Sequence, residues 1–365
     1  MTASPFSVSV APDWRGLLQC IRREGAPARV HYIELFLDQE VQEEISRRYG
    51  VLQELDRNDP HFSLRRIIAI QRFLGYDYVR YGVEGLDFPL KRTTIPDTAA
   101  LGRRTGRSYM EEHAGPITTW QDFESYPWPD PEAVSTSGLE CLSEILPEDM
   151  CIIGSGGFGH FAELLTWLMG YESLCYALYD QRDLVKAIAG RLTDIYRVAI
   201  RKILEFDRVK ITWGSDDMGF KTGPLISPQD MREFVLPGHK LMAEMSHQAG
   251  RPYLLHACGA LSTLMDDLIN DVQIDARHSF EDVIEPVTVA KQRYGDRIAL
   301  LGGIDVDFLC RATESEVRRR VRETLDACMP GGGYCLGSGN SVANYIPVDN
   351  YLAMLDEGRK FTLRA

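Results

Sequence analysis

"RPYLLHACGALSTLMDDLI" (residues 251–269) is the stretch that decides the fold. Its first half, Tyr253–Leu255, is a short apolar run of the kind that forms a buried strand. Gly259 then breaks the run, and from Leu261 the apolar residues recur at helical spacing. The strand ends on His256 and Cys258. Positions i and i+2 of a strand point to one side, so an imidazole and a thiol can reach the same point in space.

The same unit repeats along the chain. "RVKITW" (208–213) precedes a helix whose start signal is "SPQD", with Ser227 and Asp230 as capping residues. "VQIDARH" (272–278) precedes "PVTVAKQRYG", "RIALLGG" (297–303) precedes "SEVRRRVRETLDAC", and "GYCLGSG" (333–339) precedes a last helix after Pro347. Upstream, "RVHYIELF" (29–36), "YDYVRYG" (76–82) and "MCIIGSGG" (150–157) read as further strands, and 63–75 reads as a helix ending on Gly75. About eight strands, each followed by a helix, predict an α/β protein with a (β/α)8 TIM barrel and N-terminal helical additions. A doubly wound sheet is the competing arrangement, but no G-x-G-x-x-G follows a first strand. The expected organisation is one barrel domain over residues 1–365. Residues 1–28 are an N-terminal extension, and 85–150, rich in Pro, Gly and Thr, form an irregular insertion.

Composition narrows the partners. The chain carries 40 basic and 53 acidic residues, a formal net charge of −13, spread along its length. Such a protein is poorly suited to nucleic acid or an anionic membrane. No run approaches eighteen apolar residues, and "MTASPFSVSVAPDW" lacks the cationic and apolar regions of a secretory signal. Eight widely spaced cysteines read as reduced thiols in a cytoplasmic protein.

In such a barrel the C-terminal strand ends face the active-site mouth, so the residues there are the candidates. Strand by strand they are Glu34, Tyr81, His160 after "SGGFG", Asp217 in "WGSDDMGFKTG", His256 with Cys258, His278, Asp305, and Ser338 with Asn340. His256 and Cys258 are the metal-ligand candidates, because zinc accepts imidazole nitrogen and thiolate sulfur. The plainer reading is a core histidine beside an inert buried thiol. Of the adjacent Asp216 and Asp217, one at most faces the cavity, and Gly219 favours Asp217; the plainer reading makes the pair a turn cap. Glu34 on an apolar strand must be protonated, paired or bound to a cation. Asp217, Glu34 and His278 are the catalytic candidates; Tyr81, His160, Trp167, Trp213, Ser338 and Asn340 are the substrate-binding ones.

Three stretches carry a family resemblance: residues 215–259, "SDDMGFKTGPLISPQDMREFVLPGHKLMAEMSHQAGRPYLLHACG"; 296–309, "DRIALLGGIDVDFL"; and 331–355, "GGGYCLGSGNSVANYIPVDNYLAML". They resemble the uroporphyrinogen decarboxylase superfamily, and its corrinoid and coenzyme M methyltransferase branch more than its decarboxylases. The resemblance covers about residues 145–360 and implies the same barrel. The decarboxylases' "RQAGR"-like arginine segment falls on "IELFLDQE" (33–40), their tyrosine on Trp167, their "FDSW" serine on Asp217 and their "LGHG" histidine on Ser338. Acid stands where that family carries cations, so a polycarboxylate porphyrinogen is disfavoured.

The methyltransferase branch carries H-x-C and a distant cysteine as zinc ligands. His256 and Cys258 match the first two; the third falls on Asn340, so Glu34 or Asp217 completes the site or the metal is held weakly or not at all. The resemblance implies methyl transfer between a small methylated substrate or thiol and a corrinoid carried by a partner protein, in either direction, with zinc at the barrel mouth. A methoxylated molecule suits the aromatic residues there. A homodimer follows by analogy alone. Two alternatives remain: a lyase that decarboxylates a smaller acid using Asp217 or His278, and a non-catalytic ligand-binding relative.

Overall fold

The computed structural model describes residues 4–102, 106–156 and 158–361, so Gly157 of the glycine-rich turn and the first three residues of the N-terminal extension lie outside the described residues. A seven-stranded parallel sheet runs in chain order: β1 (Tyr78–Tyr81), β2 (Cys151–Gly154), β3 (Val209–Asp217), β4 (Tyr253–Cys258), β5 (Ala276–His278), β6 (Ala299–Leu301) and β7 (Tyr334–Cys335). The fold is TIM-barrel-like. β1 and β2 pair in register from Tyr78↔Cys151 to Tyr81↔Gly154, and β3 pairs β4 from Thr212↔Tyr253 to Asp217↔Cys258.

The expected first strand, 29–36, is a departure from the sequence reading. It forms no ladder; Tyr32 makes a parallel bridge to Leu336, and Leu37 one to Val342. On its other side the Tyr78 hydroxyl accepts the Glu34 N–H at 2.9 Å. That phenol occupies the position where a backbone partner on β1 would sit. The segment therefore spans the gap between β7 and β1 as an eighth, loosely bridged stave.

The helical layer follows from apolar periodicity. Arg182–Leu204 buries Leu184, Ile188, Leu192, Ile195, Ala199 and Ile203, a three-four repeat that puts one face on the sheet. Burying each large aliphatic side chain contributes roughly 1.5–3 kcal/mol. Phe62–Leu74 ends where expected: Gly75 takes φ +88°, a left-handed conformation glycine adopts without Cβ strain. Ser227 caps the helix at Pro228, accepting the Asp230 N–H at 3.1 Å. A helical start is also found in the N-terminal extension, at Trp14–Ile21.

The insertion 85–150 is more regular than its composition predicts. An antiparallel ribbon joins Arg92–Ile95 to Arg107–Met110, and helices span Trp120–Ser125 and Ser137–Ile145. Thr119 and Asp122 form a reciprocal capping box at the first of these. Such caps are polar and short-ranged, so the apolar pattern alone does not reveal them. Among the described residues, no helix is long and apolar enough to cross a membrane.

Candidate metal centre

Register brings the centre together. In the parallel β3–β4 pair Asp217 lies beside Cys258, and in the β4–β5 pair His256 lies beside His278. Cys258 and His256 share the inward face of β4. Donor atoms of Asp217, His256 and Cys258 all lie within 4.8 Å of one another. Cys258 Sγ is 3.4 Å from His256 Nε2, which is 3.9 Å from an Asp217 oxygen. Zinc bonds of roughly 2.0–2.3 Å set neighbouring tetrahedral donors roughly 3.3–3.8 Å apart. The nitrogen, sulfur and oxygen set therefore fits a zinc-sized cation.

Behind the trio, His256 Nδ1 and His278 Nδ1 are 2.7 Å apart. Two Nδ1 atoms at that distance share one proton, so one ring donates and the other accepts. Burial pushes the His278 imidazolium down to about 3, helped by the Arg80 guanidinium. Burial, followed by the charges of His278 and Arg80, likewise holds His256 well below the usual histidine range. Both rings are neutral, and Nε2 of His256 faces the sulfur and the carboxylate.

Burial pushes the Cys258 thiol up, with the neighbouring Asp217 charge adding to it. The Asn340 amide nitrogen donates to Cys258 Sγ at 3.2 Å, and Ser279 Oγ stands 3.8 Å from it. Gly259, at φ +92°, holds the end of β4 against the loop after Asp217, where an added Cβ would lie 2.2 Å from Gly219 backbone. This contact presses that loop onto the centre. Two cavities flank it. One of about 460 Å³ is lined by Asp217, Glu163, Trp167, Tyr171 and Phe220, with Tyr109 of the ribbon. The other, of about 700 Å³, is lined by Asn340, Glu281, Asp305 and Tyr345.

Asp216 does something else entirely. It points outward from β3, where its carboxylate accepts the Phe161, Ala162 and Glu163 N–H groups at 2.9–3.1 Å and bonds His239 Nε2 at 2.9 Å. It caps the helix Phe161–Met169 from a neighbouring strand, since the N-cap residue His160 supplies no cap of its own. His160 instead pairs with Glu163 at 2.5 Å. Burial of His160 is outweighed by Glu163, so its basicity rises.

Several expected roles are corrected by these contacts. His278 is fully buried behind His256 and is no proton donor at the mouth. Glu34 and Ser338 are spent on each other: the Ser338 N–H donates to Oε1 at 2.7 Å and its hydroxyl lies 2.5 Å from Oε2. Burial raises the Glu34 carboxyl to about 8, so it stays protonated at neutral pH. Trp213 is fully buried, with its ring 5.5 Å from that of His278. Tyr81 faces outward onto Gly138 and donates to Glu84. Asp305 caps Val306–Arg311 by accepting the Phe308 N–H at 2.9 Å.

Arg80 was not among the sequence candidates. It is an inward residue of β1, opposite in phase to Tyr81, stacked 4.5 Å over the Trp213 ring. The signal was a cation alternating into the apolar run "YDYVRYG".

Residues 78–361 match the family model for uroporphyrinogen decarboxylase (URO-D). The chain is 35% identical over 130 residues to a methylated-thiol–coenzyme M methyltransferase of Methanosarcina mazei, a match spanning 35% of this chain and 32% of that protein. It is 23% identical over 287 residues to uroporphyrinogen decarboxylase of Pseudoalteromonas atlantica, covering 74% of this chain and 76% of that one. A solved methyltransferase structure from Methanosarcina mazei superposes with a TM-score of 0.65 at 16% identity, covering 94% of this chain and 97% of the other.

Proposed function

Because the chain belongs to the uroporphyrinogen decarboxylase (URO-D) family, we propose that it transfers a methyl group between a small substrate and a corrinoid carried by a partner protein. The observation that carries this reading is the convergence of Asp217, His256 and Cys258 within 4.8 Å at the barrel mouth. Asp217 supplies the carboxylate that stands in for the absent third cysteine.

These three residues would hold zinc. When bound, zinc would supply positive charge that makes a coordinated thiol or methoxyl oxygen reactive at neutral pH. The chain's own residues prepare that chemistry. His278 fixes the His256 ring and leaves its Nε2 lone pair free. Asn340 donates to the Cys258 sulfur and favours its thiolate. Glu163, which lines the same cavity as Asp217, shares a proton with His160 Nδ1. The ribbon residue Tyr109 and the loop residue Phe220 add aromatic surface to the cavity wall.

The test is elemental analysis of the purified protein, followed by methyl exchange between methylcobalamin and methoxylated or methylthio acceptors. The reading expects close to one zinc per chain, lost in His256→Ala and Cys258→Ser, and exchange that disappears with the metal. Metal content unchanged in His256→Ala removes the zinc site, and no exchange with any corrinoid removes the transfer. Decarboxylation is the second reading, favoured by the longer coverage of the decarboxylase relatives. Carbon dioxide release without corrinoid would establish it instead.

A further inference from the structure

Arg80 is a cation of the barrel interior with no carboxylate partner among the described residues. Its Nε donates to Ser155 Oγ at 3.2 Å and its plane lies over Trp213. Among the described residues its remaining guanidinium N–H groups form no hydrogen bond and no ion pair, yet the side chain stays partly open to solvent. The interior acids Glu34, Asp216 and Glu163 are occupied elsewhere. Glu34 is protonated and bonded to Ser338, Asp216 is held by a helix N-terminus and His239, and Glu163 is paired with His160. A guanidinium that reaches solvent inside the barrel and has no counter-ion is a ready partner for an anionic ligand group.

Placement gives that ligand its context. Arg80 stacks on Trp213, Trp213 meets the His278 ring at 5.5 Å, and His278 bonds His256. The guanidinium therefore belongs to the same barrel interior as the metal trio, on its β1 side. With Ser155 fixing Nε and the indole fixing the plane, the free fork has the geometry that grips a planar carboxylate by two hydrogen bonds.

We propose that Arg80 anchors a carboxylate group of the small-molecule substrate, so the methyl-bearing molecule is a carboxylic acid. This rests on the reading of the site as one for a small methylated substrate. One interior guanidinium accommodates one carboxylate, which sets such an acid apart from a polycarboxylate porphyrinogen. Burial lowers the Arg80 guanidinium only to about 10, so it is cationic at neutral pH.

The experiment is calorimetric binding of 4-methoxybenzoate and its neutral isostere 4-methoxybenzamide to the full chain, with and without added zinc. Wild-type protein is expected to bind the acid at least tenfold tighter than the amide. Arg80→Met should abolish that preference while leaving amide binding unchanged. Arg80→Lys, which keeps the charge and the stem but loses the fork, should retain part of it. Thermal unfolding of each variant checks that it folds, and Arg80→Lys carries the test if Arg80→Met does not. Equal binding of acid and amide, no saturable binding of the acid, or an equal loss of both ligands on substitution overturns the proposal. Methyl transfer is not read here, so failure of this anchor and failure of the transferase reading remain separate results.

Discussion

His256 and His278 meet Nδ1 to Nδ1 at 2.7 Å, the tightest polar contact of either ring. The pairing follows from register, since the two residues are neighbours across β4 and β5. It orients Nε2 of His256 toward Cys258 and Asp217. His278→Ala should therefore weaken zinc binding about 10–100-fold without unfolding the chain. Competition with a chromophoric chelator measures this, and an unchanged affinity would show that the second ring is packing only.

The pH dependence of metal binding follows from Cys258. Its thiol is pushed above the usual range, so it is protonated in the metal-free protein at neutral pH, whereas a ligand must be a thiolate. His256 is already neutral and contributes no proton. Zinc binding should release close to one proton, and apparent affinity should rise about tenfold per pH unit between pH 6 and 8. Calorimetry in buffers of different ionisation enthalpy reads the proton count; zero protons would mean the sulfur is not a ligand.

Glu34 makes stability fall with pH. Its carboxyl is raised from 4.5 to about 8 in the folded chain. Between those values the native state holds a proton that the unfolded state has lost, so ΔG of unfolding decreases as pH rises and levels off above about 8. The shift corresponds to a few kcal/mol. Glu34→Gln, neutral at every pH, should be matched to wild type near pH 5 and more stable by that amount near pH 9. Urea unfolding across that range decides it, and parallel pH profiles would place the proton elsewhere.

Asp216 and Asp217, adjacent in sequence, should behave oppositely. Asp216→Ala removes a buried helix cap and strands His239, costing about 3 kcal/mol or more. Asp217→Ala alters a half-exposed side chain and should change stability by less than about 1 kcal/mol while weakening the metal. Thermal unfolding and zinc titration of both variants test the division, which fails if the two behave alike.

Much of the architecture was legible in the chain. Short, mostly apolar runs marked all seven sheet strands, because burial on both faces makes a barrel strand largely apolar. The exception was 29–36, equally apolar, where the Tyr78 hydroxyl replaces a ladder. The H-x-C spacing marked His256 and Cys258 because strand alternation is local. For residues whose contacts depend on a distant partner, the sequence left the partner open. Glu34 and Ser338 are 304 positions apart, and nothing local shows that they satisfy each other.

Local periodicity along the chain determined which residues lie in strands and which end near the mouth. It also determined that an imidazole and a thiol share one face. Only the tertiary structure decided the approach of Asp217 to that pair, the histidine behind the first, the outward turn of Tyr81 and the inward turn of Arg80. Side-chain alternation is a property of one strand, whereas register and barrel closure are relations between strands, set by packing across hundreds of residues.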